Sequence, residues 1–377
     1  MSAKLILVHL LNDFSGSPRI LLATIQAFTT KSSNYKLYIG SNGSGILSAS
    51  GIAVERYWYK RYRLKLLTLF SYMGSQLFLF FKLLRDKSID KEAVIYVNTL
   101  LPFGAALYGK ITGRTVLYHI HEISLTPRIL KKFLISIARK TSALNVYVSN
   151  AHLEAMAIPG VPAQRVYNAL DQTFLDHASA SIYEHCNNGK FKVLMIASLR
   201  DYKGVPELLT ICNCLAEESE IHFDLVVNDD THAIKNYFSS KSVPVNLTIH
   251  HTTDDTSKYY EEASLLLNLS RVDQWVETFG LTILEAMSFG IPVIVPPTGG
   301  PTELVDDGTN GYQIDSRNTE HVAETITDLA GNPELCQQLS AAAREKAKLF
   351  SPEQFEQNII TAIESCLTRK SSTTQSQ

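Results

Sequence analysis

Short runs of apolar, largely β-branched residues punctuate the chain, and they are continuous where a half-exposed strand would alternate. In the first half they are KLILVHL (4–10), KLYIG (36–40), AVIYVN (93–98), TVLYHI (115–120) and LNVYV (144–148). In the second half they are FKVLMIA (191–197), HFDLVV (222–227), VNLTIH (245–250), LLLNL (265–269) and PVIV (292–295). Strands read this way when both faces are covered, as in a parallel sheet between layers of helices. Helical segments lie between most of the runs, so the repeating unit is βα. The series breaks once, at DQTFLDHASASIYEHCNNGK (171–190), which is polar, small and free of strand signal. For 377 residues this predicts two doubly wound, Rossmann-like α/β domains facing across a cleft. The expected boundaries are 1–175, a linker over 176–190, and 191–350. A helix over about 352–368 is expected to pack back on the first domain, and the polar tail 369–377 to be disordered. Ligands of such sheets bind beyond the carboxyl ends of the strands, so functional residues are sought directly after the runs.

Charge and cysteine usage exclude several classes. The formal net charge is −2 and no basic block stands out, so no nucleic-acid partner is expected. The five cysteines are odd in number and form no CxxC pair, which points to reduced thiols and not to disulfides or a zinc site. The start, MSAKLILVHLLND, has no charged leader and no cleavage site. It is expected to be a buried first strand in a cytoplasmic protein.

Three loops could hold an anion or a sugar. After the first run comes NDFSGSPRI (12–20), where Gly16 sits in a tight turn and Pro18 suits a first helical turn. It is either a phosphate-binding helix start or an ordinary βα turn. It has neither GxGxxG nor GxxxxGK[ST]. After the first run of the second half comes SLRDYKGVPELL (198–209), with Arg200 and Lys203 ahead of a helix opened by Gly204 and Pro206. Cations at a helix N-terminus oppose its dipole, so they imply either a bound anion or plain solvated charge. The densest stretch is VETFGLTILEAMSFGIPVIVPPTGG (276–300). Gly280 opens a helix there and Gly290 ends it. The amides near Phe279, Gly280 and Leu281 precede the first intrahelical bonds and can face phosphate. Glu277 and Glu285 are natural acceptors for hydroxyls. Phosphate on amides and hydroxyls on acids together describe a nucleotide sugar; the alternative is a helix-start Glu277 and a solvent-facing Glu285.

Taken in order along the chain, LNDFSGSPR, HIHE (119–122), VSNAHLEAM…VYNALD, SLRDYKGVPELL and Glu277-x7-Glu285 within ETFGLTILEAMSFGIPVI resemble the family 4 (group 1) retaining glycosyltransferases, which have the GT-B fold. The resemblance spans most of residues 5–350. It implies that Arg200 and Lys203 neutralise a donor diphosphate and that the Gly16 amide touches the distal phosphate. It places Glu285 on ribose hydroxyls and Glu277 on donor-sugar hydroxyls, with the backbone of Phe279, Gly280 and Leu281 assisting. It puts His121, of the pair His119/His121, near the transferred sugar; the alternative is a satisfied core histidine. His121, Glu277, Arg200 and Lys203 would carry catalysis. The implied reaction moves a hexosyl group, with retention, from a UDP- or GDP-linked sugar to a glycan or lipid-linked acceptor, in surface polysaccharide or glycolipid synthesis. No metal and no cofactor beyond the donor substrate is implied. Two other outcomes fit the same residues: a nucleotide-sugar epimerase, which needs no acceptor, and a scaffold that binds nucleotide and transfers nothing. Relatives often carry glycines where this chain has VVNDDTH (226–232) and IHHTTDD (249–255).

A last stretch stands apart. In RYWYKRYRLKLLTLFSYMGSQLFLFFKLLRDK (56–87), Lys65, Thr68, Tyr72, Ser75, Gln76 and Lys82 form a narrow polar stripe on an otherwise apolar helix. Basic and aromatic residues, among them Lys60, Arg61 and Arg63, precede it. The expectation is a helix partly buried and partly resting on anionic lipid at the inner face of the cytoplasmic membrane; the alternative is a core helix.

Overall fold

A computed structural model describes residues 3–40, 45–251 and 255–373. The chain divides into two compact units, unit 1 (1–168 and 353–377) and unit 2 (169–352).

Unit 1 is built on strands β1 (Ala3–His9), β2 (Tyr35–Gly40), β3 (Val54–Tyr57), β4 (Ile89–Asn98), β5 (Thr115–Ile120), β6 (Leu144–Tyr147) and β7 (Ala163–Arg165). Their order is β3-β2-β1-β4-β5-β6-β7 and every pairing is parallel. Ile6, Val8, Ile95 and Val97 belong to one core cluster, while their neighbours Leu5, Leu7, Val94 and Tyr96 are equally buried. Burial of both faces is why these runs do not alternate. β3 (VERY) and β7 (AQR) are edge strands with exposed polar residues and carry no apolar run to announce them.

Unit 2 repeats the plan with β8 (Phe191–Ala197), β9 (Ile221–Val227), β10 (Leu247–His251), β11 (Leu265–Leu267), β12 (Val293–Val295) and β13 (Gly311–Gln313). The order is β10-β9-β8-β11-β12-β13, again all parallel. In each sheet the first strand lies beside the fourth (β1 beside β4, β8 beside β11). The connections leave those two strands in opposite directions, which opens a crevice beyond their carboxyl ends.

The stretch 176–190, expected as a linker, is packed into unit 2. Residues Gln172–Ala180 form a helix capped by Asp171, whose carboxylate accepts the Thr173 amide at 2.9 Å. Tyr183 is buried and donates to the Ser264 carbonyl at 2.9 Å. Arg344 reaches the carbonyls of Ala178 and Ser181. The polar residues of this stretch cap and coat a short helix. At the other end, helix Pro352–Thr373 belongs almost wholly to unit 1 and buries Phe355, Ile359 and Ile363. Of the tail 369–377, that helix takes in residues up to Thr373, and 374–377 lie outside the described residues, as do 252–254 of IHHTTDD.

Candidate active site

In unit 2 the chain leaving β8 and the chain leaving β11 meet at the crevice. The first turns through a short 3-10 segment, Asp201–Lys203, into helix Val205–Cys214. The second runs from Asn268 to Gly280, where helix Leu281–Ser288 begins. The two are tied by the Arg271 amide donating to the Tyr202 carbonyl at 2.9 Å. Tyr202 and Trp275 stack with centroids 4.9 Å apart. Lys203 Nζ lies 2.6 Å from Glu277 Oε2 and 5.0 Å from the Trp275 ring centroid. The Ser270 hydroxyl donates to the same Glu277 oxygen at 3.4 Å. Lys203 and Glu277 are each about four-fifths buried, so their mutual attraction is little screened. Arg200 stands at the exposed rim, with Nη1 on the Leu199 carbonyl at 2.8 Å.

Helix Leu281–Ser288 starts from Gly280 at φ 102°, a left-handed value that a side chain would oppose. Its first internal bonds run from Ile283 and Leu284 to the Gly280 carbonyl, so the amides of Gly280, Leu281 and Thr282 precede them. The Gly300 amide donates to the Glu277 carbonyl at 2.9 Å and fixes the loop from the other side. Glu285 is not solvent-facing: it is 5% exposed, and Tyr260 donates its hydroxyl to Oε2 at 2.5 Å. Tyr260 in turn stacks on Phe289.

In unit 1 the carboxyl ends of β1, β4 and β5 gather a histidine cluster. Asn98 ends β4, and its Nδ2 donates to the Ser17 carbonyl at 3.0 Å and lies 3.1 Å from His9 Nδ1. A carbonyl can only accept, so the amide group faces Ser17 and Asn98 Oδ1 faces His121, whose Nε2 donates to it at 3.0 Å. In the neutral ring His121 Nδ1 then carries the lone pair. Burial lowers the pKa of His121 well below its ordinary value, and neighbouring histidines add to the effect. Burial likewise brings His9 to about 4, His152 to about 4 and His119 to about 3.

His119 and His121 lie with ring centroids 4.3 Å apart. His119 is fully buried and bonded to the Tyr96 hydroxyl at 2.6 Å, while His121 keeps an accessible edge. Glu122 accepts the amides of Leu100 and His121 at 3.2 Å and ties the end of β4 to the end of β5. Burial, opposed by those amide bonds, raises its pKa to about 7. Between the two strands Thr99 is held at φ 71°, a strained value for a β-branched residue. Gly16 is the first residue of helix Gly16–Thr29, one residue before the carbonyl that Asn98 holds.

Within each unit, therefore, Lys203 joins Glu277, and His121 is linked through Asn98 to the helix that Gly16 begins. Glu285 sits on its own tyrosine, and Lys60, Arg61 and Arg63 lie exposed on unit 1 away from these bonds. Trp275, Ser270, Asn98 and Thr99 are not singled out by the sequence reading, and Glu122 enters it only as the last residue of HIHE. Asn98 ends an apolar run, and Thr99 and Ser270 each directly follow one, which was the available signal.

Residues 184–346 match the family described as glycosyl transferases group 1. The chain is 28% identical over 171 residues to an uncharacterized glycosyltransferase of Haemophilus influenzae, 45% of this chain and 46% of that one. It is 27% identical over 172 residues to the poly(glycerol-phosphate) alpha-glucosyltransferase of Bacillus subtilis, 45% of this chain and 25% of that one. The chain thus spans less than half the length of these curated relatives. In three dimensions it is similar to Anabaena Alr3699/HepE, solved in complex with UDP and glucose, with TM-score 0.76 and 18% identity over 96% of this chain and 100% of that one. Residues 184–346 are thus similar to the group 1 glycosyl transferases, and the two Rossmann-like sheets give the chain the GT-B fold.

Proposed function

We propose that the protein is a retaining glycosyltransferase that moves a hexosyl group from a nucleotide-diphosphate sugar to a glycan or lipid-linked acceptor, in surface polysaccharide or glycolipid synthesis. The observation that carries this is the Lys203–Glu277 pair at the crevice of unit 2, beside a helix start whose amides at Gly280, Leu281 and Thr282 precede the first intrahelical bonds. A carboxylate and an ammonium held this way can part to opposite ends of one ligand. Lys203 and Arg200 take the diphosphate with the amides of Phe279, Gly280 and Leu281, and Glu277 takes the sugar hydroxyls. Tyr260 orients Glu285 for the ribose hydroxyls. On unit 1, His121 serves the transferred sugar and the Gly16 amide the distal phosphate.

In the reaction the bond from the anomeric carbon to the phosphate oxygen breaks, and the acceptor oxygen bonds to that carbon on the same face. The acceptor proton passes to the departing phosphate. Lys203 and Arg200 stabilise the charge that develops on it, and the rest is positioning. The solved neighbour with UDP and glucose, and the relative named as an alpha-glucosyltransferase, make UDP-glucose the first donor to test. The test is incubation of the full chain with UDP-glucose, with and without an amphiphilic glycan acceptor, followed by mass spectrometry and by NMR of the new linkage. UDP release that requires acceptor, with an α-linked product, supports the proposal. Conversion of the donor sugar without acceptor would make the chain an epimerase. Nucleotide binding with no turnover on a panel of donors would make it a scaffold.

A further inference from the structure

Helix Lys65–Arg85 of unit 1 is inside out. It is long and apolar enough to cross a membrane, yet only 33% of its most apolar window is buried in the protein. Its core-facing positions are Ser71, Tyr72, Ser75, Gln76, Leu79 and Leu83, four of them carrying polar groups. Its outward stripe is Leu66, Phe70, Leu77, Phe81 and Leu84 at helical spacing, with Phe70 71% and Leu66 70% exposed.

Hydrogen bonds hold the polar residues inward. Gln76 Oε1 accepts the Gly104 amide at 3.1 Å, at the start of helix Phe103–Ile111. The two helices touch so closely there that a Cβ on Gly104 would lie 2.2 Å from the Gln76 carbonyl oxygen. Tyr72 donates to the Leu101 carbonyl at 2.6 Å. Ser71 bonds both the amide and the carbonyl of Lys60, and Thr68 does the same for Tyr62. These bonds dock the loop that carries Lys60, Arg61 and Arg63 beside the helix start, so the cations stand at one end of the apolar stripe. Lys82, by contrast, is engaged by Glu55 at 3.0 Å.

The surface continues across the neighbouring helices. Phe103 meets Tyr72 edge-on at 5.8 Å and Phe133 at 5.3 Å. Phe133 lies in helix Arg128–Thr141, which also exposes Arg128, Ile129 (81%) and Lys132.

We infer that this face is an in-plane docking surface for an anionic lipid bilayer. Leu66, Phe70, Leu77 and Phe81 enter the acyl boundary, and Lys60, Arg61, Arg63, Arg128 and Lys132 meet the headgroups. The charge complementarity selects the occupant: a second copy of this chain would set these cations against like charges. Ser75, Gln76 and Tyr72 stay bonded inside unit 1, so the helix lies on the membrane and does not span it. The inner side of the helix is also tied by hydrogen bonds to the proposed acceptor side. Leu101, held by Tyr72, follows Leu100, whose amide Glu122 holds together with that of His121. A lipid-linked acceptor would then be presented where the membrane face and the His121 edge adjoin. The inference rests on the helix face and not on the donor site.

The test is co-sedimentation of the full chain with phosphatidylcholine vesicles and with phosphatidylcholine–phosphatidylglycerol vesicles, alongside UDP titration and thermal unfolding. The wild type is expected in the pellet with anionic vesicles only. Phe70→Ser with Leu77→Ser should lower that partitioning at least about ten-fold, and Lys60→Glu with Arg61→Glu and Arg63→Glu by roughly five-fold per charge removed. Both variants should keep the wild-type UDP affinity and melting temperature. A wild type that stays in the supernatant, or a charge variant that binds anionic vesicles undiminished, overturns the proposal. So does a concentration-dependent dimer that Phe70→Ser with Leu77→Ser dissolves, which would make the face an interface between copies.

Discussion

Lys203 and Glu277 hold one another at 2.6 Å, each mostly shielded from water, and removing one leaves the other poorly compensated. Lys203→Ala is therefore expected to cut transfer by about two to three orders of magnitude, as loss of a charge-stabilising group does, with the fold intact by circular dichroism. Wild-type turnover in that variant would remove Lys203 from the diphosphate.

The buried histidine cluster makes stability depend on pH. An unfolded histidine takes a proton near its ordinary value of 6.5, whereas burial delays His9 and His152 to about 4 and His119 to about 3. Between those values the unfolded chain binds more protons, so stability present above pH 6.5 is lost as pH falls toward 4. Glu122 acts oppositely. Its folded pKa of about 7 exceeds its ordinary 4.5, so its contribution is full below 4.5 and is lost as pH rises through 7. Three histidines outweigh one carboxyl, and the urea midpoint should drop between pH 6.5 and 4.5, less steeply in His119→Asn. A flat or rising midpoint would contradict this. Of these groups His121 and Glu122 stood in HIHE, while Asn98 was not legible. Asn98 meets His121 only when β4 and β5 pair in parallel, and no spacing within either strand encodes that register.

At the scale of elements, the turn from β8 into helix Val205–Cys214 depends on Gly204. It sits at φ 86°, and a Cβ there would lie 2.2 Å from the Leu269 carbonyl oxygen. Gly113 has a similar φ of 68° with open space around it. Alanine at Gly113 should cost about 1–2 kcal/mol, the left-handed strain alone. Alanine at Gly204 should cost more, because β11 and β8 must also move apart. Equal losses in urea unfolding would mean that the close approach is not limiting. The apolar runs of the sequence are the strands of the structure wherever both faces are covered. The edge strands β3, β7 and β13 escaped because three or four residues with polar side chains leave no period to detect. The polar stretch 171–190 looks like a linker for the same reason: its helix is capped and surfaced by polar side chains, and its burial rests on a few residues such as Tyr183 and Ala178.

For the whole molecule, the chain's last helix closes unit 1, not unit 2. Ile359 and Ile363 are fully buried there, Lys31 pairs with Glu364 at 3.6 Å, and Gln164 donates to the Asn358 carbonyl at 3.4 Å. Ile359→Ala should destabilise unit 1 by about 2–5 kcal/mol, the usual cost of such a core truncation. In calorimetric scanning one transition should move and a second, belonging to unit 2, should stay. A single transition shifting as a whole would show that the units unfold together.

On the proposed function, the crevice of unit 2 holds a nucleotide diphosphate, with Glu285 on its ribose. Calorimetric titration of UDP and GDP into the wild type and into Glu285→Ala tests it most directly. One nucleotide should bind the wild type selectively, and the variant should lose about 1.5–3 kcal/mol of that affinity, the worth of a hydrogen bond to a charged group. Equal affinity in both proteins, or no binding of either nucleotide to the wild type, would contradict the assignment.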